Sequence, residues 1–315
     1  MAETVKKATR ESYGLTLAEL GARNPDLVVL DADLAEATKS AFFREKFPDR
    51  FVECGISECN MIGVAAGLAT CGKIPFASSF AMFTAGRAFE QVRNSVGYPH
   101  LNVKIAGSHA GISVGEDGAT HQCLEDLALM RSIPGMVVLN PADHYEMQAA
   151  IKAVAAYKGP VYIRLGRLAV ESFNNSDNYR FEIGKGITLR DGKDITVIAT
   201  GLMVSRALEA VHRLEKEGVD ARLINLHTLK PIDRELIIKA ARETGKIVTV
   251  EEHNVIGGLG DAVAGVLCEE CPVPLVKIGV DDVFGRSGPA SELLDQYGLN
   301  ASHIEQTVRD MLKNR

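Results

Sequence analysis

Through the first half of the chain, short apolar runs alternate with longer stretches whose apolar residues recur every three or four positions. Leu27-Val-Val-Leu30, Val103-Lys-Ile-Ala106, Met136–Leu139 and Val161–Leu165 have the length and composition of strands buried on both faces, as in a parallel sheet. Glu11–Ala22, Phe83–Val96 and Asp143–Ala156 carry helical spacing, and Gln122–Arg131 reads as a further helix. Asn60–Ala69 is small and apolar, which suits a helix lying close on a sheet. Strands alternating with helices of this length predict βαβ units. The alternation stops at Glu171–Gly184, where Ser172–Tyr179 is polar, turn-rich and without apolar period. It resumes with predicted strands Ile195–Ala199, Arg222–Leu226, Ile247–Glu251 and Pro274–Ile278, and with helices Ser205–Glu217, Asp233–Thr244, Leu259–Cys268 and Ala301–Leu312. The expectation is an α/β chain of two domains: a largely parallel sheet over residues 1–170, a linker over 171–185, and a smaller doubly wound domain over 186–315.

Composition narrows the function classes. At 315 residues, 46% hydrophobic and 24% charged, the chain can bury two ordinary cores. No run approaches the roughly 20 apolar residues of a membrane span, and Met1–Gly14 is charged, without the apolar core of a secretory signal. A cytoplasmic setting is expected. The formal net charge of −6 argues against nucleic acid and anionic membranes as partners, but leaves room for small anions, which need only one or two arginines. The six cysteines read as reduced thiols. Cys268-Glu-Glu-Cys271 has metal-ligand spacing but neither a second pair nor a neighbouring histidine, so no metal site is expected there. Gly257-Gly-Leu-Gly260 opens a helix without completing a dinucleotide fingerprint, and reads as packing glycines.

The densest chemistry lies in Gly107-Ser-His-Ala-Gly-Ile-Ser-Val-Gly-Glu-Asp-Gly-Ala-Thr-His-Gln122, between a predicted strand and a predicted helix. Its glycines allow positive φ and close approach of a ligand to the backbone, so His109, Asp117 and His121 can converge on one small polar substrate. Glu58 opens an otherwise apolar helix. The helix dipole favours an acid there, while the surrounding small residues suggest a buried carboxyl able to share a proton with a heterocyclic nitrogen. Phe80 and Phe83, in Ser79-Phe-Ala-Met-Phe83, suit either core packing or the walls around a flat ligand ring. Arg164 and Arg167 come at the carboxyl end of a predicted strand, where anionic groups bind in parallel sheets. Arg10 precedes the first helix and is uninformative by itself.

Taken in order and spacing, Gly55-Ile-Ser-Glu-Cys-Asn-Met61, Ser79–Phe83, Gly107–Gln122, Leu165-Gly-Arg167 and Asn225-Leu-His-Thr-Leu-Lys-Pro-Ile-Asp233 resemble the carboxyl-terminal half of a transketolase. The likeness covers essentially the whole chain, as a pyrimidine-binding domain followed by a transketolase carboxyl-terminal domain. It implies that Glu58 hydrogen-bonds the aminopyrimidine of thiamine diphosphate and favours its imino tautomer, and that Phe80 and Phe83 wall the pyrimidine. It implies that His109 and His121 contact donor oxygens and assist proton movement. By the same likeness Asp117 reads sugar hydroxyl configuration, and Arg10 and Arg167 hold the substrate phosphate.

Two departures matter. Ala37 stands where transketolases often place a phosphate-binding serine, leaving either Thr38 or Ser40 as a substitute or an acceptor whose distal group differs. The Gly-Asp-Gly segment and downstream asparagine that hold the metal and diphosphate are absent from the sequence. The resemblance therefore implies the second subunit of a split transketolase, active only with an N-terminal subunit that binds Mg2+ or Ca2+ and the diphosphate, in an α2β2 assembly acting on sugar phosphates of pentose phosphate or related carbohydrate metabolism. The β subunit of a 2-oxo acid dehydrogenase, deoxyxylulose phosphate synthase and a non-catalytic partner-binding paralogue are the alternatives.

Overall fold

The buried apolar runs of the first half lie side by side in a seven-stranded sheet. In spatial order its strands are Thr228–Lys230, Val137–Leu139, Val161–Arg164, Lys104–Ser108, Ile74–Phe80, Leu27–Asp31 and Phe51–Glu53. All pairings are parallel except that of Thr228–Lys230, which runs antiparallel to Val137–Leu139. This computed structural model describes residues 5–175 and 179–313; residues 176–178, within the expected linker, lie outside that range. A second sheet of five strands has the order Leu275–Val280, Ile247–Asn254, Ile195–Ala199, Ala221–Asn225 and Ile187–Arg190, antiparallel only at the last pairing. A two-stranded ribbon pairs Lys6–Ala8 with Ala169–Glu171.

Helices cover the sheets as the periodicity requires. Thr9–Gly21 and His144–Ala156 pack on one face of the first sheet, around Tyr13, Leu17, Phe76, Met147 and Ile151. Glu58–Thr70 packs on the other through Met61, Ile62 and Ala65. The predicted helix over Phe83–Val96 is instead a sequence of wide π turns at Met82–Arg87 and Val92–Gly97 around a short α segment. Such turns frequently mark functional sites, and this one begins two residues after Phe80. Strand Ile74–Phe80 was not read from the sequence, because Pro75, Ser78 and Ser79 interrupt its apolar run. All three are nonetheless buried.

The halves are fastened to each other by buried polar groups rather than by the linker alone. Strand Thr228–Lys230 belongs to the second half in sequence but to the first sheet in space. Asp143 caps helix His144–Ala156 by accepting from Glu146 N at 2.9 Å, and its second oxygen accepts from the N–H groups of Phe173 and Asn174 at 3.1 and 2.9 Å. The fully buried Glu146 accepts from Ala142 N at 2.6 Å, from Asn225 Nδ2 of the second sheet at 2.8 Å, and from Tyr179 OH.

Burial lifts the Glu146 carboxyl to about 7, because desolvation outweighs the three bonds. A carboxyl raised on folding binds its proton more tightly in the native state than in the unfolded chain. Its contribution to stability is therefore fully present below the unfolded value near 4.5 and is lost as pH rises through 7. Relative to Glu146→Gln, the unfolding free energy of the wild-type chain should fall by about 3 kcal/mol at most across that window. Urea melts of both proteins from pH 4.5 to 8 check this; a difference that does not vary with pH would show that Glu146 does not titrate there.

Candidate active site

The carboxyl ends of three parallel strands and the starts of two helices converge on one corner of the first sheet. Strand Ile74–Phe80 delivers Phe80, strand Lys104–Ser108 delivers His109, and strand Val161–Arg164 leads into Arg167. Helix Thr9–Gly21 presents Arg10 in its first turn, and helix Glu58–Thr70 begins on Glu58. In an open parallel sheet these ends are where ligands collect.

The rings form one continuous array. Phe80 stacks on His109 with centroids 4.1 Å apart and planes 28° from parallel, and lies 6.0 Å from Phe83 at 15°. His121 meets both phenylalanines edge-on, at 6.2 Å from Phe80 and 5.4 Å from Phe83. His109 adopts φ of +54°, a conformation uncommon outside glycine, which places its ring against Phe80. Its Nδ1 lies 2.9 Å from Ser108 Oγ and its Nε2 lies 3.4 Å from Arg10 Nη1. A guanidinium can only donate, so Nε2 accepts and the proton sits on Nδ1. Burial first, then the nearby cations Arg10, Arg167 and Lys39, push the His109 pKa down to about 3. The ring is a neutral hydrogen-bonding group.

Arg10 also donates to Ala37 O at 2.7 Å, while its Nε is buried and has no partner among the described residues. Burial and the neighbouring Arg167 lower its pKa. Arg167 donates to Val114 O and to Glu116 Oε2 at 2.9 Å. Asp117 is exposed at the end of the Ile112–Asp117 turn, with no side-chain partner among the described residues. His109 and His121 thus meet on the same pair of phenylalanines, while Asp117 is exposed at the end of the turn.

Glu58 is 2% exposed and accepts from Arg87 Nη1 at 3.1 Å through Oε2. Its Oε1 has no donor among the described residues. The Arg87 guanidinium lies 4.7 Å above the Phe83 centroid, so one cation links the carboxylate to the ring array. Neither Arg87 nor Lys39 was singled out from the sequence. Arg87 lies in a stretch read only as amphipathic helix, and Lys39 lies between the two hydroxyl residues that drew attention.

Those hydroxyls are not free. Thr38 and Ser40 are fully buried and both donate to Asp31 Oδ2, at 2.7 and 2.8 Å. Asp31 consumes their only donors. Arg164 is likewise not available to an anionic ligand: it is buried, pairs with Asp126 through Nε at 2.9 Å and donates to Glu252 O at 2.9 Å. The glycines at 257–260 surround a resident carboxylate, with Glu251 accepting from Leu259 N at 2.6 Å and Gly260 N at 2.8 Å, which fills the helix start that a dinucleotide phosphate would require.

Residues 5–172 match the family Transketolase, pyrimidine binding domain, and residues 184–304 match Transketolase, C-terminal domain. The chain is 44% identical over 306 residues to the 6-deoxy-6-sulfo-D-fructose transketolase subunit of Clostridium sp. (strain MSTE9), covering 97% of this chain and 95% of that one. It is 40% identical over 313 residues to the transketolase of Rattus norvegicus, covering 98% of this chain but 49% of the relative. Among solved structures, a split gene transketolase, an inactive beta4 tetramer, is 54% identical and superposes with a TM-score of 0.90 over 98% of this chain and 99% of that one. The two matched families follow one another in the order that the anchors suggested, and the chain aligns end to end with a transketolase subunit but with only half of a single-chain enzyme. On these grounds the chain belongs to the transketolase family, as the carboxyl-terminal section of a split transketolase.

Proposed function

We propose that this chain supplies the pyrimidine-facing half of a thiamine-diphosphate-dependent transketolase. With an N-terminal subunit that holds the diphosphate and Mg2+ or Ca2+, it transfers a two-carbon ketol unit from a ketose phosphate to an aldose phosphate. The observation that carries the reading is the ring array of Phe80, Phe83, His109 and, edge-on, His121, with the buried Glu58 joined to it through Arg87. The residues fit the cofactor's pyrimidine end: Phe80, Phe83 and His121 make an aromatic corner for a flat heterocycle, and Glu58 Oε1, without a donor among the described residues, offers an acceptor to a ring N–H. When bound, thiamine diphosphate supplies the nucleophilic carbon that carries the two-carbon unit.

In this reading Glu58 holds a proton at the aminopyrimidine and orients the ring. His109, neutral and fixed by Ser108, hydrogen-bonds a substrate oxygen through Nε2, taking over the position that Arg10 now contacts. His121 acts from its edge-on position against Phe80 and Phe83. Asp117 reads hydroxyl configuration from the rim, and Arg10 and Arg167 hold the distal anion. With Thr38 and Ser40 committed to Asp31, that end of the substrate is read by cations rather than hydroxyls.

The direct test mixes this chain with a candidate diphosphate-domain subunit, thiamine diphosphate and Mg2+, and measures ketol transfer from a panel of ketose phosphates and one sulfonated ketose. Transfer should appear only in the mixture, with sedimentation reporting an α2β2 species. Transfer by this chain alone would contradict the split assignment. Within the active pair, Arg10→Ala and Arg167→Ala should each raise KM for phosphorylated substrates by roughly 10- to 100-fold, the worth of one charge-assisted hydrogen bond. Neither should change KM for an acceptor that lacks a terminal anion; an equal effect on both acceptors would remove the anion-binding role.

A further inference from the structure

The catalytic assignments leave the carboxyl-terminal domain without a part in the chemistry, yet this domain reaches the loop that carries His109, Asp117 and His121. We infer that Glu252 is a positioning residue, whose carboxylate fixes that loop from behind by accepting the Ser113 N–H at 2.7 Å. The inference rests on the sugar-facing role proposed above for the loop.

Several contacts converge on the same function. Glu252 is 3% exposed and sits on strand Ile247–Asn254 of the second sheet, 139 residues from its partner in sequence. Gly111 has φ of +90°, and a Cβ there would collide with the Glu252 side chain, so the backbone approaches the carboxylate as only glycine permits. Ile112, one residue on, is fully buried in the apolar cluster of the carboxyl-terminal domain with Val250, Val280 and Leu293. Gln122, at the far end of the loop, donates from Nε2 to Arg286 O at 2.9 Å. Arg164 donates to the backbone oxygen of Glu252 itself at 2.9 Å, which ties the brace to the first sheet.

A buried carboxylate with a single N–H donor is an expensive way to stabilise a fold, and apolar residues would do so more cheaply. What the carboxylate adds is direction. Its one strong bond holds Ser113, four residues from His109 and four from Asp117, so the two side chains keep a fixed offset across the turn.

Hydrogen–deuterium exchange on the full chain, without any partner, tests the brace directly. In Glu252→Ala the amides of residues 109–121 should exchange about tenfold faster, and in Glu252→Gln, whose amide oxygen can accept the same bond, they should exchange as in the wild type. In the reconstituted pair, Glu252→Ala should raise sugar KM about tenfold while the Kd for thiamine diphosphate stays unchanged, and Glu252→Gln should restore KM. Wild-type exchange in Glu252→Ala, or a Gln variant as impaired as the Ala variant, overturns the inference. Should Glu252→Ala not fold, Gln122→Leu removes the second clamp and is expected to give the same exchange pattern. If the wild-type pair transfers no ketol at all, the functional reading falls, while the exchange data still decide whether the brace exists.

Discussion

Glu58→Ala should lower turnover of the reconstituted pair roughly 10²- to 10⁴-fold at saturating cofactor and sugar, the usual worth of a positioned proton-transfer group. The loss should appear in kcat and not in sugar KM, because Glu58 meets the ring array through Arg87 over Phe83, whereas Arg10 meets it through His109 and Arg167 bonds to Val114 and Glu116. Folding should survive. The partner that Glu58 leaves behind, Arg87, is 52% exposed, so water takes over its charge and no buried cation is stranded. Circular dichroism and urea melts of the variant establish that the chain is intact, and steady-state rates against thiamine diphosphate concentration separate a weakened cofactor from a slowed chemical step. Turnover within a few-fold of wild type at saturating cofactor would remove Glu58 from the proton chemistry.

The opposite balance is expected at the buried pair Arg164–Asp126. Asp126 is fully buried, and its Oδ2 accepts from Arg164 Nε at 2.9 Å and from Tyr162 OH at 2.8 Å. Arg164 is 4% exposed. Asp126→Ala would leave a guanidinium and a phenol hydroxyl without their acceptor in a site that water does not reach. Breaking such a pair from one side costs about 3–5 kcal/mol, a large share of the stability of an ordinary domain. The double variant Asp126→Leu/Arg164→Leu should lose less than Asp126→Ala, since the guanidinium goes with its acceptor; the loss should not vanish, because the buried Glu252 also gives up the Arg164 cation beside it. Denaturant unfolding of the three proteins gives the cycle. An Asp126→Ala variant within about 1 kcal/mol of wild type would mean that the guanidinium finds another acceptor.

The contrast between Glu58 and Asp126 shows what a linear sequence can carry. Both are acids near the start of a helix in apolar surroundings, and nothing local separates them. The difference lies in the partner: an exposed arginine 29 residues away for Glu58, a buried one 38 residues away for Asp126. Arg164 and Arg167 illustrate the same limit, since position at one strand end did not separate the two arginines, and only the family resemblance favoured Arg167. The strand sets Arg164 into the interface between the sheets, and the chain past Gly166 turns Arg167 toward the Val114–Glu116 turn.

Hydrophobic periodicity determined the strand–helix alternation, because burial on one or both faces of an element imposes its own spacing. It located most regular elements of the second half; short Ile187–Arg190, Thr228–Lys230 and Ala290–Gln296 escaped it. It missed Ile74–Phe80, where Ser78 is buried with its Oγ hydrogen-bonded to Tyr13 OH at 2.7 Å, a tertiary contact with no local signature, and Ser79 is buried with no hydroxyl partner among the described residues. The loop motif, Glu58 and the paired phenylalanines were legible as residue types at a spacing. Tertiary structure alone decided which groups face one another: the stack of Phe80 on His109, the commitment of Thr38 and Ser40 to Asp31, and the reach of Glu252 to Ser113. Periodicity is a property of neighbours along the chain. A site is made of residues whose separation in sequence says nothing of their separation in space.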